Sequence, residues 1–246
     1  MPLDDRRPVR RVQRRPDAPT SGGWPFDLPP VAQLLRDGLE LAPGVTFLVG
    51  ENGSGKSTIV EALAAAYGLN PEGGSRQTRH STRVSESPLH DALELVQGLG
   101  GRRWSYFLRA ESMHGLYTYL EDNPSWHSDE PLFHELSHGE GFLEVLASRF
   151  EEGGFYLLDE PESALSFTSC LSLVGLLAEL AAGGSQVVSA THSPLLTALP
   201  GATLLELDES GFHETRWEDL ELVDHWRRYL GSPMSYLRHV LPEPNG

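Results

Sequence analysis

Apolar residues along this chain fall into short continuous runs and longer runs broken at helical spacing, which predict buried strands and helices respectively. Val45 to Val49, Phe155 to Leu158 and Gln186 to Ala190 are of the first kind, and Trp104 to Leu108 is a compact aromatic strand. Ile59 to Tyr67, Leu89 to Leu99, about Gly139 to Phe150 and Phe167 to Ala182 are of the second kind. Thr203 to Leu207 and Phe212 to Thr215 predict a hairpin across Asp208-Glu209-Ser210-Gly211. Residues 24–48 read as short strands and turns, with Pro29-Pro30 and Pro43-Gly44 as punctuation. Residues 70–88, polar and rich in Gly, Ser and Arg, read as a loop, and helical segments carrying Trp217 and Trp226 close the pattern. Buried strands alternating with helices predict an α/β fold: a mostly parallel central sheet covered by helices on both faces.

Composition adjusts this picture at the N-terminus. The chain of 246 residues carries a net charge of −16, yet residues 1–20 hold six Arg against three Asp. Residues 1–22 therefore read as a disordered Arg/Pro-rich tail, and residues 23–246 as one domain. The tail is expected to be solvated, with a nucleic-acid or partner arm as the alternative. An acidic body argues against broad nonspecific duplex binding and leaves a local basic patch open. No run approaches the 18 apolar residues of a membrane span, and no signal peptide is evident. A single cysteine, Cys170, excludes an internal disulfide and fits packing in a reducing cytosol, so a cytoplasmic protein is expected.

Candidate chemistry centres on the only lysine of the chain; the 18 other cationic side chains are Arg. Lys56 lies in Gly50-Glu51-Asn52-Gly53-Ser54-Gly55-Lys56-Ser57-Thr58, the G-x-x-x-x-G-K-S pattern of a phosphate-cradling loop. A predicted strand precedes it and a predicted helix follows, as such a loop requires. A slim ammonium reaches the β- and γ-phosphates of a nucleotide where a planar guanidinium cannot. Downstream, the strand Phe155 to Leu158 runs into Asp159-Glu160. Mg²⁺ takes few protein oxygens, so Asp159 and the Ser57 hydroxyl suit its shell, and Glu160 suits a general base that polarises water.

Asp159-Glu160-Pro161-Glu162-Ser163-Ala164-Leu165-Ser166 resembles the Walker B and D-loop segment of ABC-type ATPases, with Ser163, Ala164, Leu165 and Ser166 as the D-loop. Ala190-Thr191-His192-Ser193-Pro194 resembles their H-loop, and Leu136-Ser137-His138-Gly139-Glu140-Gly141 their signature. The chain departs from the family pattern at His138, usually Gly, and at Glu140, usually Gln. More narrowly, the whole chain is similar to small stand-alone bacterial ATPases of ABC type, through stretches such as Pro25 to Pro29, Phe107 to Ser112 and Tyr236-Leu237-Arg238.

The resemblance implies N-terminal antiparallel β elements and a small helical signature subdomain at about 112–150. It implies an enzyme that binds ATP and Mg²⁺ and hydrolyses ATP between two copies. Lys56, Ser57 and the loop backbone would hold ATP in cis, Ser137 and Gly139 would close the site in trans, and His192 would sense the γ-phosphate. Glu111 takes the metal-facing Q-loop place, with Gln77 as competitor. Only 26 residues separate Glu111 from Ser137, too few for a long coiled-coil arm. Three tasks stay open: a soluble dimerisation switch in DNA repair or defence with a nucleic-acid or protein partner, a transporter's nucleotide-binding subunit, and a non-hydrolysing ATP-gated module. Arg76, Arg79 and Arg83 would contact phosphate, adenine or a partner, or simply face solvent.

Overall fold

A computed structural model describes residues 7–18, 22–70, 73–74, 87–99, 104–110, 143, 146, 150 and 153–242. Its centre is a six-stranded sheet of β3 (Gly44–Gly50), β5 (Ser105–Arg109), β6 (Phe155–Asp159), β7 (Gln186–Thr191), β8 (Thr203–Asp208) and β9 (Gly211–Thr215). The strand order is β5-β6-β7-β3-β8-β9. Neighbours pair in parallel except for the β8–β9 hairpin, which is antiparallel.

Strand alternation divides the core between the two faces of this sheet. Val45, Phe47 and Val49 of β3, with Tyr156 and Leu158 of β6, pack against Leu173, Leu177 and Leu180 of α4 (Phe167–Ala182). Leu48, Phe155 and Leu157 point the other way, onto Ile59, Val60 and Leu63 of α2 (Lys56–Tyr67). Because β3, β6 and β7 are covered on both sides, they read as continuous apolar runs. Full burial of a side chain such as Phe47 contributes about 1.5–3 kcal/mol.

Three expectations at the N-terminal side are corrected. Within the Arg-rich segment, where a disordered tail was expected, Val9–Arg14 forms β1. This strand is central to a second, antiparallel sheet, between β2 (Leu39–Glu40) and β4 (Leu93–Gln97). A bulge between Val9 and Arg11 adds one residue to β1 against β4, so Val9 and Val12 both turn inward although they are not an even number apart. That spacing breaks the period-2 signal and leaves the arginines as the visible feature.

Residues 29–37 form α1 (Pro29–Asp37) where strands and turns were expected. Proline is compatible with a first helical turn, so Pro29-Pro30 starts the helix instead of punctuating a loop. Pro30, Val31 and Leu34 are its buried face. Leu89 to Leu99 is not one helix: α3 (Leu89–Ala92) stops where β4 begins to pair with β1. Its apolar positions suit either element, and the tertiary partner decides.

The hairpin is β8–β9, followed by a 3-10 turn at Trp217–Asp219, α5 (Glu221–Gly231) and α6 (Met234–Leu237). The polar loop at residues 75–86 and the signature subdomain lie outside the described residues. The exceptions are Leu143 and Leu146, which are helical, and Phe150, which stacks on Tyr156 at 4.0 Å between ring centroids.

Candidate functional site

The site lies at the carboxyl ends of β3, β6 and β7, where the chain leaves the parallel sheet. β3 delivers the glycine loop, and two of its glycines are required by geometry. Gly50 has φ 154°, and a Cβ there would meet the Leu207 carbonyl oxygen at 2.3 Å. Gly55, at φ 97°, makes the left-handed turn from which α2 starts without a side-chain cap. The N–H groups of the first turn of a helix have no partner within the helix, and such an end attracts anions.

Lys56 is 3% exposed, and its ammonium folds back into the loop, donating to the carbonyls of Gly50 (2.8 Å) and Glu51 (2.9 Å). Burial pushes its pKa down; the charges of Glu160, Asp159, Glu162 and Glu51 oppose that. The lysine is thus a buried cation in a site crowded with carboxylates.

β6 supplies Asp159, which is buried, and then turns sharply. Glu160, at φ 48° and ψ 51°, is the one non-glycine residue with positive φ among the described residues. That conformation costs roughly 1–2 kcal/mol and is held by its surroundings. The Glu160 N–H donates to the Ala190 carbonyl (3.0 Å), while the Ser163 N–H and hydroxyl both donate to the Glu160 carbonyl. The turn breaks strand alternation and brings Glu160 Oε1 to 3.4 Å from Nε2 of His192. Burial and the charge of Lys56 push the His192 pKa down against the pull of Glu160 and Glu51, which keeps the imidazole neutral near pH 7.

Side chains not anticipated from the sequence hold this arrangement. Glu162 accepts hydrogen bonds from the Thr191 hydroxyl (2.7 Å) and from the His192 N–H, tying the turn after β6 to the turn after β7. Burial pushes the Glu162 pKa up. On the other flank, Arg109 at the end of β5 donates to Glu61 Oε2 (3.2 Å) and lies 3.4 Å from Asp159 Oδ2. Glu162 stands inside the D-E-P-E run and Arg109 two residues before Glu111, so position was the available signal.

The structure brings Gly50 to Thr58, Asp159, Glu160 and His192 to one end of the sheet. Pro161–Ala164 forms a 3-10 turn, Ser163 supports Glu160, and the Ser166 hydroxyl caps α4 by accepting from the Ser169 N–H (3.2 Å). Glu111, Gln77, Ser137, His138, Gly139, Glu140 and the three loop arginines lie outside the described residues. A cleft of about 1080 Å³ opens in front of Gly50 to Ser54 and His192, walled by Leu207 of β8 and by Trp226 and Tyr229 of α5.

The donor set fits Mg²⁺: one buried carboxylate, Asp159, and one hydroxyl, Ser57, beside a loop built for phosphate. Among the described residues no cluster of three or more His, Cys, Asp or Glu side chains forms a protein-only metal cage. Such a site takes its remaining oxygens from phosphate and water.

A strand, glycine loop and helix around a buried lysine, beside an acidic strand end on a parallel sheet, define a P-loop NTPase. Residues 35–96 match the AAA domain family model, and residues 141–198 match a second AAA domain model whose description adds AbiEii toxin and Type IV TA system. The cytochrome c biogenesis ATP-binding export protein CcmA of Rhodospirillum rubrum is 31% identical over 207 residues, covering 75% of this chain and 83% of that protein. CcmA of Paramagnetospirillum magneticum is 28% identical over 193 residues, covering 68% and 83%. A dimeric bacterial ABC transporter cassette aligns with a TM-score of 0.44 at 15% identity, over 74% of this chain and 90% of that one. The chain belongs to the ABC-type P-loop ATPases.

Proposed function

We propose that the chain hydrolyses ATP and that the nucleotide cycle opens and closes a homodimer. The observation that carries this reading is the Glu160–His192 pair, 3.4 Å apart and held beside the lysine loop by a strained turn. In this reading the ammonium of Lys56 leaves the Gly50 and Glu51 carbonyls for the β- and γ-phosphates. The amides at the start of α2 bind the same phosphates. Asp159 and the Ser57 hydroxyl hold Mg²⁺, which neutralises charge on the phosphates.

Glu160 orients a water and accepts its proton as the water attacks the γ-phosphorus and the bond to the β–γ bridging oxygen breaks, releasing phosphate and ADP. Neutral His192 donates a hydrogen bond toward the phosphate oxygens. Ser137 and Gly139 of a second copy would close the site, and Glu111 would take the metal-facing Q-loop role. Glu160→Gln keeps the shape and removes the base. Turnover is expected to fall by about 10²–10⁴-fold, with a dimer accumulating in Mg·ATP. Light scattering that finds only monomer for this variant at saturating Mg·ATP overturns the sandwich.

For the cellular task, a soluble switch acting with a nucleic acid or protein is our first reading. A transporter subunit is the second, favoured by the export role printed in the names of the CcmA relatives. No described helix is long and apolar enough to cross a membrane. ATPase rates measured alone, with single- or double-stranded DNA, and with membrane fractions separate the two readings.

A further inference from the structure

Arg109 stands beside Asp159 because the sheet puts it there. β5 pairs with β6 in parallel, with Arg109 and Asp159 as register partners, so their side chains leave the same face of neighbouring strands. Of its two carboxylate neighbours among the described residues, the guanidinium is bonded more closely to Glu61. It makes a hydrogen bond to Glu61 Oε2 of α2 at 3.2 Å, whereas its Nε approaches Asp159 Oδ2 only to 3.4 Å. Glu61 is held in turn, since its other oxygen accepts from the Ser87 N–H at 3.5 Å. All three side chains are largely sequestered, at 15% exposed for Glu61, 26% for Arg109 and 6% for Asp159. Burial of a carboxylate favours a nearby cation, and Arg109 lies within ion-pair distance of both.

From this asymmetry we infer that Arg109 is a positioning residue that stands in for the divalent cation at Asp159 and is kept ready for release by Glu61. Anchored on α2, the guanidinium neutralises Asp159 in the metal-free site and keeps its carboxylate aimed at the loop. A cation arriving at Asp159 competes with Arg109, and Glu61 retains the displaced guanidinium so that it is never left without a partner. The inference rests on the assignment of Asp159 to the metal shell.

The two ends of the bridge are therefore expected to act in opposite directions. Mn²⁺ binding to the full-length protein with saturating ADP, followed by the loss of the free Mn²⁺ electron paramagnetic resonance signal, reads this directly. Arg109→Gln removes the competitor and is expected to tighten Mn²⁺ about fivefold. Glu61→Gln removes the anchor on α2 that draws the guanidinium away from Asp159 and is expected to weaken Mn²⁺ by a similar factor, about fivefold for the loss of one partly buried ion pair. Arg109→Lys keeps a cation and stays within about twofold of the wild type.

Binding of a fluorescent ADP analogue in EDTA is expected to be unchanged in all three variants, and this also verifies folding. If Arg109→Gln and Glu61→Gln shift Mn²⁺ in the same direction, or neither shifts it, the bridge is a structural brace and the inference fails. Asp159→Asn is the control for the underlying assignment. If it binds Mn²⁺ as the wild type does, Asp159 is not the metal ligand and the functional reading falls instead.

Discussion

The two ends of β7 bury polar side chains for different ends. At its start, Gln186 is 1% exposed and neutral, and its amide is fully used. Oε1 accepts from the Val9 N–H (3.0 Å), and Nε2 donates to the carbonyls of Val9 (2.8 Å) and Ala42 (2.9 Å). This stitch joins the antiparallel sheet to the parallel one. At the other end, Thr191 and His192 are held by Glu162, a carboxylate whose burial opposes its charge, beside Lys56, Asp159 and Glu160. Neutral, satisfied groups make one end stable, while concentrated charge makes the other reactive and less stable than an apolar packing would be.

The largest effect that sharpens this contrast comes from Lys56. Lys56→Ala is expected to weaken nucleotide binding by at least ~100-fold, since no other cation reaches the phosphates from the loop. Its cost to folding is expected to stay below about 1 kcal/mol, because the attraction to the carboxylates and the two carbonyl bonds it loses are offset by relief of the ammonium's burial. Titration with a fluorescent ATP analogue and urea unfolding measure the two quantities. A variant that loses stability as well as nucleotide would make Lys56 a structural residue and erase the distinction between the ends.

Gln186→Ala reverses the pattern. Three backbone groups, two of them on buried Val9, lose their partner, so unfolding free energy is expected to drop by about 2–3 kcal/mol. Nucleotide affinity per folded molecule is expected to hold, because the substitution lies at the opposite end of the sheet. Removing the N-terminal residues through Arg14 is expected to cost at least as much, as it also takes Val9 and Val12 from the core. Urea midpoints read both. A truncated chain as stable as the full one would mean that β1 adds nothing to the fold.

These contacts also mark how far the sequence can be read. The glycine loop, β3, β6, β7 and the β8–β9 hairpin are visible because their cause is local: apolar runs, required glycines and turn residues. β1 is hidden because its inward residues are brought into phase by a bulge, and its partner β4 lies about 80 residues away. The Gln186 stitch spans 177 residues, and the Arg109–Glu61 link spans 48, so no local pattern reveals them. Glu160 and Glu162 look alike in the D-E-P-E run. Only the turn at φ 48° separates a half-exposed carboxylate, Glu160, from Glu162, whose carboxylate is tied to Thr191 of β7.

That difference between the glutamates gives the smallest effect and the finest test. In Glu162→Gln the amide oxygen can still accept from Thr191 and His192. The amide nitrogen replaces Oε2, a buried atom with no hydrogen-bond partner among the described residues. An unsatisfied amide there costs about 1 kcal/mol. The pKa of Glu162 is raised in the fold, by burial above all.

Below the ordinary glutamate value, about 4.3, both folded and unfolded chains carry the proton and Glu162 adds no pH dependence. As pH rises past that value the unfolded chain releases its proton first. The contribution of Glu162 to wild-type stability therefore falls with rising pH until its folded pKa is passed, and it levels off above that. Glutamine has no such proton, so the deficit of Glu162→Gln is expected to be greatest near pH 4 and to narrow toward pH 8. Urea unfolding of both proteins across that range tracks the difference. A deficit that widens with pH would mean that the surrounding cations stabilise the Glu162 carboxylate, and the charged end of β7 would then be a source of stability like the neutral one.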